Sequence, residues 1–167
     1  INISDKFFII RLVSWKAVHD IGYRGLSIKN IKKIIQKCSK HGKVFITSED
    51  KIPEIFDPYK INIPPEKMHD ALHYAHMLIS DSGTTSTEAA MLGTPSIRCN
   101  TFAGPNDMGR FIELEKDYNL LYSYYHPEDA LEKVDELLKT SNLKEIWNEK
   151  RTKFISDKID LSEFMTW

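Results

Sequence analysis

Short, β-rich apolar runs alternate along this chain with stretches whose apolar residues recur at helical spacing. That alternation predicts an α/β domain with a mostly parallel sheet. Residues 6–14 (KFFIIRLVS) are almost continuously apolar, as in a central strand buried on both faces. Ser27 then offers an N-cap, and Ile28, Ile31, Ile34, Ile35 and Cys38 mark one helical face until His41-Gly42. Residues 43–48 (KVFITS) read as a second strand, and a short helix after Pro53 leads to a weak third at 59–63.

Pro64-Pro65 opens the next helix, with Met68, Ala71, Leu72 and Ala75 on its buried side. Residues 77–81 (MLISD) predict a strand, 85–92 a helix, and 96–99 a strand entered through Gly93-Thr94-Pro95. A polar loop over 100–108 precedes a helix at 109–118 and a sixth strand at 120–124. Helices over 127–139 and 143–157 close the pattern. The expected architecture is a Rossmann-like three-layer domain covering 1–167, with six strands in the order 3-2-1-4-5-6. The loops at 14–26, 48–52, 63–66, 81–85 and 99–109 would then share the rim beyond the carboxyl ends of the strands, where such sheets bind ligands.

Composition narrows the class. The chain has 167 residues, 41% hydrophobic and 28% charged, which suits one globular domain. Lys plus Arg is 23 against 24 for Asp plus Glu, a formal net charge of -1, so no global field is available to hold nucleic acid or an anionic membrane. Two cysteines, Cys38 and Cys99, fit no metal or redox spacing. No apolar run reaches the ~20 residues of a membrane span, and the start INISDK has no secretory pattern. A reduced, cytoplasmic protein is expected.

The segment richest in chemistry is Asp81-Ser82-Gly83-Thr84-Thr85-Ser86-Thr87-Glu88, running from a strand into a helix. Glycine lets backbone approach a ligand, and the helix start presents unpaired N–H groups and a positive dipole end. Ser82, Thr84, Thr85 and Ser86 add up to four hydroxyl donors, which suits a phosphate or diphosphate; the lysine of a P-loop is not there. A turn and cap alone also call for Gly, Ser and Thr, and Thr85-x-x-Glu88 matches a capping box.

Asp81-Ser82-Gly83, with Glu88 six residues after the serine and Glu88-Ala89-x-x-Leu92-Gly93-x-Pro95 following, resembles the nucleotide-sugar signature of the GT-B glycosyltransferase superfamily. The branch it most resembles is UDP-N-acetylglucosamine 2-epimerase with its relatives from polysaccharide biosynthesis. The resemblance runs in order from about Lys6 to Trp167. It implies that Ser82 and Gly83 bind a diphosphate, that Glu88 binds ribose hydroxyls, and that a UDP-sugar is the substrate, with no cofactor and no obligatory metal. It also implies that this chain is the donor half only, the acceptor half standing before Ile1 or on a partner subunit. Taken alone the chain would not turn over.

The chain departs from that pattern at two places. Thr84 stands where the epimerases have a second glycine, and the loop after the first strand reads Ser14-Trp15-Lys16-Ala17-Val18-His19-Asp20 instead of His-Arg-x-x-Glu-Asn. His19 is a candidate catalytic residue of that loop, but the epimerase chemistry does not follow from it.

Other residues are candidates for donor or base contacts: Arg11, Ser14, His69, Arg98, Phe102 and Gly104. Arg11, the one charge inside an apolar strand, reads foremost as a structural ion pair. Arg98 or Arg110 would supply the cation that the phosphate segment lacks. His69, His73 and His76 share a helix face but leave the apolar face to 68, 71, 72 and 75, so they point to solvent and form no metal site. Lys29, Lys32, Lys33, Lys37 and Lys40 read as the wet face of the first helix. Phe164, Met165 and Trp167 form an apolar end suited to a second domain or a second copy. Against the glycosyltransferase reading stand a phosphosugar-binding domain like that of sugar-phosphate isomerases, carried by Ser80-x-Ser82-Gly83-x-Thr85, and a nucleotide-binding subunit without turnover. Membrane contact, if any, would be peripheral, through the acceptor or partner.

Overall fold

The computed structural model describes residues 5–18 and 21–166. The chain forms a five-stranded parallel sheet in the order β2-β1-β3-β4-β5. The strands are β1 (Phe7–Leu12), β2 (Lys43–Ser48), β3 (Met77–Ser80), β4 (Ser96–Cys99) and β5 (Leu121–Tyr124). The helices are α1 (Ile28–Cys38), α2 (Met68–Tyr74), α3 (Gly83–Met91), α4 (Gly109–Lys116), α5 (Pro127–Lys139), α6 (Leu143–Ser156) and α7 (Leu161–Thr166).

Six strands were expected, and the sheet has five. Residues 59–63 make only an isolated parallel bridge, Lys60 with Ile46, and one further bond from the Ile61 N–H to the Ile46 carbonyl. The segment reaches the expected outer edge, beside β2, but arrives from a 3₁₀ turn (Glu54–Tyr59) and leaves into Pro64-Pro65. Pairing ends at Ile61, close to the end of β2 at Ser48, and Pro64 and Pro65, with no N–H to donate, cannot resume it. The remaining strands keep the expected order.

β1 alternates as a central strand should. Phe8, Ile10 and Leu12 enter the core beneath α1 and α5 with Ile46, Ile79 and Ile97, while Phe7 and Ile9 pack with Leu78 against Leu72 of α2 and Ala89 of α3. Helices therefore cover both faces. Ser27 caps α1 as expected, its side chain accepting from the Asn30 N–H. The α1 lysines lie on its wet side, and Lys37 bonds Asp135 of α5 at 2.5 Å. Gly93, at φ 77°, ends α3 in the left-handed region and turns the chain into β4. Cys38 and Cys99 are free and buried, and burial pushes both thiols up to about 12.

α6 seals the edge of the sheet opposite the rim. Trp147 Nε1 donates to the Leu120 carbonyl at 2.8 Å, Arg151 Nε to that of Met91 at 2.8 Å, and Lys144 Nζ to those of His73 and Ala75. Bonds from cationic groups to the last carbonyls of α2 and α3 stabilise both helix ends.

One histidine departs from expectation. His69 and His73 are exposed, but His76 lies past the end of α2, half-buried and edge-on to Phe8 at 5.4 Å. Burial, with Lys6, Lys144 and His41 nearby, pulls its pKa from 6.5 down to about 4. The unfolded chain therefore takes up a proton between those values while the folded chain does not, and stability is lost as pH falls through that window. His76→Gln is expected to remove about 1–2 kcal/mol of the loss between pH 7 and 4.5, a figure discounted for partial exposure. Urea midpoints of both proteins at the two pH values measure it; equal losses would overturn the assignment.

Candidate functional site

The carboxyl ends of the strands open into a cleft of about 1250 Å³. Its floor is the β3–α3 turn. Ser82 is the N-cap of α3: its Oγ accepts from the Thr85 N–H at 3.2 Å and shares a hydroxyl–hydroxyl bond with Thr85 Oγ1 at 3.1 Å. Ser80 Oγ, in turn, accepts from the Ser82 N–H and donates to the Arg11 carbonyl, both at 2.8 Å. The Ser86 N–H bonds the Ser82 carbonyl. Among the described residues nothing accepts from the N–H groups of Gly83 and Thr84. Two donors at the positive end of a nine-residue helix thus face the cleft, the usual equipment for an anion.

Both sequence expectations for this turn need correction. The helix begins at Gly83, two residues before the expected start, because Ser82 caps it; Thr85-x-x-Glu88 is therefore no capping box. Glu88 lies within the helix and lines the cleft, and among the described residues its carboxylate pairs only with His69 Nε2 of α2, at 3.6 Å. The hydroxyl supply is smaller than four. Ser82 is used within the cap, Ser86 is fully buried with an Oγ that has no partner among the described residues, and of the four Thr84 alone is exposed. Gly83 is needed for space, since a Cβ there would meet Phe111 Cζ at 2.9 Å.

Asp81 organises the rim. Its buried carboxylate accepts from the Val13 N–H at 2.9 Å, Trp15 Nε1 at 3.2 Å and the Leu26 N–H at 3.3 Å, which ties both ends of the β1–α1 loop to the turn. Burial pushes the Asp81 carboxyl up, and these donors pull against that. Gly25 passes so close that a Cβ would lie 2.1 Å from Asp81 Oδ2. Asn100 Nδ2 bonds the Asp81 carbonyl at 2.8 Å, and Thr101 pairs with Arg24, its N–H donating to the Arg24 carbonyl at 3.0 Å. Trp15, Phe102 and Tyr23 complete the join as near-parallel rings, with centroids 6.0 and 3.8 Å apart. In the sequence Asp81 stands out only as part of the strand-to-helix motif, and Gly25, Tyr23 and Thr101 carry no local mark of this role. A carboxylate placed directly after an apolar strand was the one available signal.

The cleft gathers Arg11, Ser14, His69, Ser82, Gly83, Thr84, Thr85, Glu88, Arg98 and Phe102. Gly104 is exposed and does not line it. His19 lies outside the described residues. Arg11 forms the structural pair, bonding Thr47 Oγ1 at 3.0 Å and Glu49 at 2.7 Å. Arg98 is buried, stacked 3.6 Å over Phe111 and bonded to Asp107, so its charge is already matched. Burial lowers its pKa to about 10. Arg110, at the first turn of α4, lines the cleft, is exposed, and among the described residues has no carboxylate partner. It lines the same cleft as Gly83 and Thr84. No cluster of three His, Cys, Asp or Glu among the described residues is arranged to hold a metal, and no helix there is long and apolar enough to cross a membrane.

No family model matches the chain, and no curated protein does. Solved structures do match. A calicheamicin glycosyltransferase aligns with TM-score 0.56 at 14% identity over 90% of this chain and 38% of its own. A spinosyn rhamnosyltransferase aligns with TM-score 0.55 at 9% identity over 92% and 42%. A wall teichoic acid polymerase aligns with TM-score 0.56 at 14% identity over 91% and 39%. The chain thus spans about 40% of the length of these structures, and the fold it shares with them is one that glycosyltransferases use.

Proposed function

We propose that this chain is the nucleotide-sugar-binding half of a glycosyltransferase-type enzyme of polysaccharide or glycoconjugate biosynthesis, taking a UDP-sugar. The observation that carries this reading is the pairing of two unpartnered N–H groups at Gly83 and Thr84 with Glu88 further along the same helix, all on one cleft. The first two suit a diphosphate, Arg110 adds a cation, and the carboxylate of Glu88 suits a pair of ribose hydroxyls. During transfer the α3 terminus would stabilise the charge that grows on the departing diphosphate. Acceptor binding and catalysis would be completed by a second domain or partner. The exposed side chains of Ile159, Leu161, Phe164 and Met165 offer that partner an apolar surface. The phosphosugar alternative is weakened because Ser80, Ser82 and Thr85 are already bonded to one another or to backbone.

A calorimetric panel of UDP, CDP, GDP, dTDP, UMP and glucosamine 6-phosphate tests the reading. UDP is expected to bind about tenfold tighter than UMP, since the second phosphate adds a charge-assisted contact. Tighter binding of the sugar phosphate than of any nucleotide would move the chain to the phosphosugar class. Binding of none would sink both readings.

A further inference from the structure

We propose that the indole of Trp15 is the platform on which the sugar ring of the bound nucleotide-sugar stacks; this rests on the nucleotide-sugar reading above. Trp15 lines the cleft, half-buried, on the β1–α1 loop. Its one polar atom, Nε1, already donates to Asp81 Oδ2 at 3.2 Å, so what the ring offers the cleft is apolar surface. The ring is also held in place: Phe102 lies nearly parallel at 6.0 Å and 21°, and Tyr23 backs Phe102 at 3.8 Å and 14°. A fixed aromatic face is the surface that fits the C–H face of a pyranose, because little conformational entropy is lost on contact.

Position selects the sugar over the base. Trp15 is tethered to Asp81, two residues before Gly83, and two residues of chain reach at most about 7 Å. The tether therefore holds the indole beside the β3–α3 turn, on the same cleft as the unpartnered N–H groups. Glu88 and His69 mark the other direction, on the sheet face covered by α2 and α3, whereas the β1–α1 loop leads to α1 on the opposite face. A ligand with ribose at Glu88 and diphosphate at Gly83 extends its remaining end toward Trp15.

The test compares UDP with UDP-N-acetylglucosamine, and with UDP-glucose as a second probe, by calorimetry on wild type, Trp15→Leu and Trp15→Phe. In wild type the sugar is expected to tighten binding about fivefold over UDP, an increment lost in Trp15→Leu and largely kept in Trp15→Phe. Among the chain's three tryptophans, the indole N–H resonance absent from Trp15→Phe is expected to shift with either UDP-sugar well beyond its shift with UDP. This readout stands even where Trp15→Leu folds poorly. An equal sugar increment in wild type and Trp15→Leu overturns the inference while leaving the nucleotide reading intact. So does an equal loss of UDP and UDP-sugar, which would place the base on the ring. Absence of any nucleotide binding by wild type defeats the nucleotide reading itself, and the inference with it.

Discussion

Asp81→Asn is expected to destabilise the chain by about 2–3 kcal/mol, a sizeable part of the stability of a domain this size. In the native fold Oδ1 takes the Val13 N–H, and Oδ2 takes both Trp15 Nε1 and the Leu26 N–H. An asparagine keeps one acceptor oxygen and sets an NH₂ donor where the other stood. Either Val13, or Trp15 and Leu26 together, then face a donor. Each buried donor left unsatisfied costs roughly 1–3 kcal/mol, and relief from burying a carboxylate returns only part of that. Because Asn100 and Gly25 pack on the same residue, the loss should reach both rim loops. Urea unfolding of wild type and variant measures the first effect, and the indole resonance of Trp15 the second. A variant as stable as wild type, with that resonance unmoved, would show that Asp81 organises nothing.

Glu88→Gln is expected to weaken UDP ten- to hundredfold and to leave stability nearly unchanged. Loss of a charge-assisted bond to ribose is worth ~1.5–3 kcal/mol. Ser82 caps α3, so no capping bond is lost. The neighbour His69 stands 3.6 Å away, with side-chain exposures of 67% and 36%, and such a pair contributes at most about 1 kcal/mol. Calorimetric UDP titration beside urea unfolding of both proteins separates the two quantities. Equal UDP affinity would remove Glu88 from the ribose; an unfolding change above the ion-pair figure would give it a structural role absent from the geometry.

Much of the fold was written locally. The unbroken apolar run of β1, the 3.6-residue stripe of α1 behind Ser27, and Gly93 before β4 each carry their structure in neighbouring side chains, because strand burial, capping and left-handed turns are short-range effects. The strand-to-helix turn at Ser82-Gly83 and its place on the ligand rim were legible for the same reason, and so was the pairing need of Arg11. Residues 59–63 mark the limit. Their composition reads as strand, but whether a ladder forms depends on what flanks them and on the edge they meet, and beside the last residues of β2 they make one bridge.

What only the tertiary structure decided is which polar groups remain for a ligand once the protein has satisfied its own. Thr85 and Glu88 share the spacing of a capping box, yet Ser82, held by Ser80 at the end of β3, which is itself bonded to the Arg11 carbonyl of β1, took the cap and left Glu88 to the cleft. Arg98 and Arg110 were equal candidates in the chain, but the loop folds Asp107 onto Arg98 and leaves Arg110 exposed. Asp81 gathers donors from residues 13, 15 and 26, at least 55 positions away in sequence. No local pattern encodes such convergence, because each bond forms only after parallel strands have brought distant loops to one rim.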